Sequence, residues 1–209
     1  GSHGEWAART AGTWGNSIGV QICSTATGYN QVLDTSNQLT AGAGTLAANT
    51  ITVDNADEAG NAFNVGDMIS FFSDTSATVP VDEFNEYEVT AINTSTNVLT
   101  IRLKDDPNSG GLQNTIPDNS YIRRKWKYHD LFPNAPGTSA FVTAKGGSND
   151  EMHIVVYDTT GAITGYDADV AGQRTSSVIE TYANLSKSSV ARDAQGSSNY
   201  YADVIFRKS

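Results

Sequence analysis

The chain has 209 residues, enough for one large domain or two small ones able to bury their own cores. Thirteen Lys and Arg stand against 23 Asp and Glu, a formal net charge of -10 that opposes non-specific binding to nucleic acid or to an anionic membrane. Charged residues make up only 17% while Gly, Ser, Thr, Asn and Asp abound, which excludes a helical bundle and points to a turn-rich, β-rich protein.

No stretch approaches the roughly 18 to 20 apolar residues that cross a bilayer, and no charged leader precedes an apolar segment. Gly1-Ser2-His3 has the look of a cleaved expression tag, so the natural sequence is expected to begin at or just after Gly4. Cys23, the single cysteine, forms no intrachain disulfide and sits in the apolar run Ile18–Cys23, where it reads as a small core residue rather than a reactive thiol. In that run Ile18, Val20 and Ile22 alternate with Gly19, Gln21 and Cys23, the pattern of a half-buried strand with the three aliphatics inward. Periodicity then vanishes from Thr25 to Asn49, which reads as a surface excursion.

From Thr50 to Tyr128 the pattern is that of a small all-β barrel or sandwich. Strands are expected at Thr50 to Val53, Met68 to Phe72, Glu86 to Ile92, Val98 to Leu103 and Tyr121 to Tyr128, with Asn93 to Asn97 as a hairpin loop and Phe63 to Asp67 as a turn. Beyond the prolines Pro133 and Pro136 the order becomes strand, helix, strand. Met152 to Tyr157 reads as a strand covered on both faces. Ser177 and Glu180 have capping-box spacing, and Val178, Tyr182 and Leu185 share a helical face, so a helix is expected from about Thr175. Ser198 to Phe206 is expected to close with a strand. The fold class expected is therefore α+β and β-rich: a discontinuous α/β domain from residues 4–44 and 129–209, with residues 45–128 inserted as an all-β module.

Motifs for chemistry are scarce. His129 and His153 have no second nitrogen or sulfur ligand at metal-site spacing. Asp158-Thr-Thr-Gly161 is one residue longer than the aspartic protease signature and has no second copy to share a proton. The acidic cluster Asp54, Asp57, Glu58 with Asp67 fails the EF-hand pattern, because counting from Asp54 the third position is Ala56, and it reads as surface carboxylates on a solvated loop. Phosphate-loop, serine-elbow and zincin motifs are missing, so the expectation is no catalytic residue, no metal, no cofactor and no enzyme.

The single basic concentration is Tyr121-Ile-Arg-Arg-Lys-Trp-Lys-Tyr128. As a strand it places Arg123, Lys125 and Lys127 on one face in water and Ile122, Arg124, Trp126 and Tyr128 on the other, with Trp126 in the core. Outside this strip only nine cations face 23 carboxylates, so the strip suits an acidic neighbour, such as another copy of the chain, better than a nucleic acid.

Three blocks resemble the contractile tail sheath proteins of bacteriophages, most nearly those of large contractile-tailed phages of aquatic bacteria. They are Ala8 to Ile22, where Ala11 stands in place of the Pro usual in the turn; Phe132 to Ser139 with Asn149 to Asp158; and Tyr182 to Ser189 with Asp193 to Ile205. The resemblance implies a structural subunit that polymerises around a tail tube and contracts to drive the tube into a host. It also implies location in the virion after assembly in the host cytoplasm, partners limited to other sheath copies and the tube protein, and no nucleic acid, membrane or cofactor. Sheath proteins continue into a further C-terminal domain, so the chain is expected to be a monomeric fragment, with Arg123, Lys125 and Lys127 as the candidate intersubunit contact. The alternative is a carbohydrate- or surface-binding β module of another virion protein such as a baseplate component, using aromatics like Trp126.

Overall fold

The computed structural model describes residues 6–8, 12–33, 42–59, 62–83, 85–106 and 111–208; the tag-like residues 1–3, Ala11, Thr40 and Ala41 lie outside them. Among the described residues nine strands form two antiparallel sheets: β1 (Ile18–Cys23), β2 (Asn30–Leu33), β3 (Thr50–Thr52), β4 (Met68–Phe72), β5 (Tyr87–Asn93), β6 (Val98–Leu103), β7 (Tyr121–Lys125), β8 (Glu151–Asp158) and β9 (Val178–Ser186). The α-helices are short: α1 (Ala26–Tyr29), α2 (Ala140–Thr143) and α3 (Tyr201–Lys208). The protein is thus β-rich α+β. The chain divides into unit 1, Gly1–Tyr29 with Tyr128–Ser209, and unit 2, Asn30–Lys127.

Unit 2 is a six-stranded sheet in the order β2-β7-β4-β5-β6-β3. Its core is drawn entirely from residues between Leu33 and Ile122, with Ile69, Phe71, Tyr87, Val89, Leu99 and Ile101 among the most buried. The expected hairpin is present: β5 pairs with β6 through Glu88↔Arg102, and Asn97 takes a positive φ of 55° in the loop. A bulge between Val89 and Ala91 shifts the register and bends the strand. The module begins at Asn30, fifteen residues before the expected start at Thr45, because β2 pairs with β7 over Asn30↔Lys125 to Leu33↔Ile122. Only Val32 and Leu33 mark this strand as apolar, too short a signal to stand out from the Thr, Asn and Gly that surround it.

Unit 1 holds the sheet β1-β8-β9. Central β8 is covered on both faces, with Met152, His153, Ile154 and Val155 all buried. Two expected elements are replaced. The segment expected to be a helix from Thr175 is strand β9, so the sheet is wholly antiparallel and the α/β pattern is not formed. Two bulges give this strand its helix-like pattern. Met152↔Leu185 is followed by Ile154↔Tyr182, so β9 uses one residue more than β8, and Asn184 absorbs it at φ 52°. Tyr182 and Leu185 consequently face the same core at a spacing of three, which imitates a helical stripe. The expected closing strand is instead α3, whose Tyr201, Val204 and Ile205 pack at i, i+3 and i+4 against Met152, Ile154 and Leu185.

Strand β1 lies where expected, paired from Ile18↔Asp158 to Cys23↔His153, and Cys23 is buried. Its aliphatics do not all point into the core, however. Val20 packs against it, but Ile18 and Ile22 stay 36% and 41% exposed, because β1 is a sheet edge and α3 covers the face over β9 instead.

Candidate functional site

Strand β7 carries the residues singled out by charge. Alternation holds along it: Ile122 and Arg124 are buried and Arg123 and Lys125 half-buried, while Trp126 just beyond is 7% exposed and in the core. The expectation that the cations stand in water is overturned. Lys125 donates to Glu86, whose other oxygen accepts from Lys104 Nζ at 2.9 Å. Lys127, with its side chain 6% exposed, lies 3.8 Å from Glu88 Oε1, and Arg102 donates to Glu88 Oε2 through Nε at 2.9 Å and a second nitrogen at 2.7 Å. Arg123 donates to Ala77 O at 2.8 Å and lies 4.6 Å from the centroid of the Phe72 ring.

The cause is geometric. Glu86 and Glu88, two residues apart, project to one side of the β5 segment, and Arg102 and Lys104 repeat that spacing beside β6. Each carboxylate therefore gathers two cations, whose closeness offsets the cost of burying the charges. For Glu86, burial alone would raise the carboxyl, but Lys125 and Lys104 outweigh it and hold it at about 2. This cross-strand lattice was legible in part: the Asn93 to Asn97 loop fixes the register that sets Glu88 against Arg102. No reading of β7 alone finds it.

Beside the lattice runs an open groove of about 360 Å³, bordered by Phe72, Pro80, Asp82, Glu83, Arg123 and Lys125. Asp82 is spent internally, accepting from Asn85 Nδ2 and Asn114 Nδ2, both at 2.6 Å, and from the Tyr87 hydroxyl. The charged groups of the groove that have internal partners are thus organised to hold loops onto the sheet.

Unit 1 uses its buried polar groups in the same way. Asp158, fully buried, accepts from the backbone of Thr160, Gly161, Ile163 and Thr164 at 3.3, 3.0, 2.7 and 2.7 Å, from the Thr164 hydroxyl at 3.1 Å and from the Ser17 hydroxyl. Burial opposes its charge, but the Ser17 bond and the backbone donors win and hold the carboxyl far below the usual carboxylate range. A carboxylate so fixed is a loop anchor, not a protease nucleophile activator.

His153 places Nε2 2.8 Å from Asn134 O, and its Nδ1 accepts from Asn184 N at 3.1 Å, which defines the tautomer with the proton on Nε2. Phe132 stacks on the ring at 4.3 Å between centroids, and burial lowers the pKa, so the imidazole is a neutral brace for the β9 bulge. Arg174, 1% exposed, makes a two-toothed pair with Asp130 at 2.9 and 2.7 Å. Among the described residues no group of three or more His, Cys, Asp or Glu is placed to hold a metal ion. No helix of the described residues is long and apolar enough to cross a membrane. Comparison with protein-family models, curated proteins and solved structures found no match.

Proposed function

We propose that the chain is a structural piece of a phage contractile tail sheath, acting in the virion through contacts with other sheath copies and with the tail tube. The observation that carries this reading is the meeting of the three resembling blocks. The first supplies β1, the second β8 and the third the end of β9 with α3, so all three meet at one small sheet and the helix packed on it although the chain between the first two is interrupted by unit 2. An inserted module with its own core is how a polymerising subunit carries decoration without disturbing the domain that forms the array. Polymerisation itself requires a heterologous contact repeated between copies.

Arg123 and Lys125 remain the proposed contact between copies, whereas Lys127 is too deeply buried beside Glu88 to reach one. Binding of carbohydrate is the weaker reading, because Trp126, the aromatic that would have served as a platform, is in the core. The test is electron microscopy of the protein at high concentration, expressed with all the flanking sequence its gene encodes. Striated tubes or rings of constant diameter are expected. Dispersed particles at every salt and concentration would overturn the reading.

A further inference from the structure

Four buried carboxylates can be ranked by how well the fold solvates them. Asp158 has the six donors described above. Asp150 accepts from Ser139 N at 2.8 Å, from the Ser139 hydroxyl at 2.9 Å and from the Ser186 hydroxyl. Asp82 has its two amides and a phenol. Asp67 is 7% exposed, yet among the described residues its carboxylate accepts from Asn64 alone, through Asn64 N at 2.8 Å. The nearest cation, Arg124 Nε, stands 3.9 Å away, within ion-pair reach but beyond a hydrogen bond. A carboxylate buried with so few donors is the one whose charged form the fold supports least.

Its surroundings give that titration a structural lever. Arg124 donates to Ala62 O, just ahead of the Asp67 turn, and to Gln31 Oε1 at 3.0 Å. Gln31 and Arg124 are also register partners in β2 and β7, the strands by which the chain enters and leaves unit 2. The other charged groups at the turn are Lys127, whose stem packs over Gly66, and Glu88 on β5, which lies opposite Met68 and pairs with Lys127.

We propose that Asp67, Arg124, Gln31 and Ala62 form a proton-sensitive latch that closes the turn at residues 62–67 and edge strand β2 more tightly in mild acid. Burial, only partly offset by Asn64 and Arg124, pushes the Asp67 carboxyl up to about 6. The sign follows from linkage: a folded state that holds the proton more tightly than the unfolded chain gains stability as the pH falls through about 6, and the gain is complete below about 4.

The latch is independent of the sheath reading and is tested on the whole chain by two measurements. The first is a carbon-13 NMR titration of the Asp67 carboxyl, with a midpoint near 6 expected. The second is amide exchange at residues 31–33 and 64–67, corrected for intrinsic rate. Between pH 7.5 and pH 5 the linkage relation gives about a tenfold rise in protection. Asp67→Asn, close in shape and without a charge to lose, is expected to abolish that pH dependence. A carboxyl midpoint below about 4.5, or the same rise in Asp67→Asn, overturns the proposal. Should the variant fold poorly, the wild-type titration decides alone.

Discussion

Asp130→Asn is the sharpest probe of how unit 1 is held. The Arg174 side chain is 2% exposed and delivers two hydrogen bonds to Asp130, whose own side chain is 31% exposed. Removing one partner of a fully buried pair costs about 3 to 5 kcal/mol, since it strands a charge away from water. Two features reduce that figure here. Water reaches the Asp130 side of the pair, and an Asn oxygen keeps one of the two acceptors. A loss of about 2 kcal/mol is therefore expected. Arg174→Met, which removes the stranded charge and leaves an apolar stem beside Tyr128, should recover part of that loss when combined with Asp130→Asn. Because the chain has two units, a whole-chain unfolding curve mixes two transitions. The assay is urea unfolding followed by hydrogen exchange on peptides from each unit. A change below about 0.5 kcal/mol in unit 1, the size of an ordinary surface substitution, would refute the reasoning. So would an equal shift in the peptides of unit 2.

Two further outcomes are expected. Glu86, depressed from 4.5 to about 2, contributes stability that is fully present above pH 4.5 and is lost as the pH falls toward 2, so Glu86→Gln should flatten the acid limb of unit 2 stability measured by thermal melts at pH 2 to 6; an unchanged limb would show that the lattice is incidental. Deleting residues 30–127 behind a short Gly-Ser linker should leave unit 1 folded, because the Tyr29 hydroxyl donates to His129 O at 2.9 Å and Phe132 O at 2.6 Å and so ties the two crossing points together; a variant with an unfolded-chain NMR spectrum would show that unit 1 needs the insert.

The strands of unit 2 were legible because their signals are local. The bounds of Met68–Phe72 and Val98–Leu103 follow from apolar content and turn residues, and the Asn93 to Asn97 hairpin follows from turn chemistry. β9 was not legible, because the feature that fixes its pattern, the added residue at Asn184, exists only relative to β8. Sequence periodicity measures which residues share a face, and a bulge changes that relation without leaving a mark on composition. The β-branched and aromatic content of Val178, Ile179, Thr181 and Tyr182 was the one local sign of a strand, and the capping-box spacing at Ser177 and Glu180 competed with it.

The same limit governs the charged residues, and it bears on how the module could work. Along β7 and the residues just after it, Arg123, Lys125 and Lys127 alternate like a solvated basic face, since a strand on its own shows only its alternation. Across the sheet Lys125 answers Glu86 and Lys127 answers Glu88, while Arg123 reaches the Ala77 carbonyl and the Phe72 ring. An interface built from Lys125 would compete with Glu86 for the same ammonium, and docking an acidic partner there would take that cation from Glu86 while its bond from Lys104 stays. Under the proposed sheath reading, contact between copies and the internal stability of unit 2 would be coupled through one carboxylate, giving a contact made and broken at modest cost, as a contracting array requires.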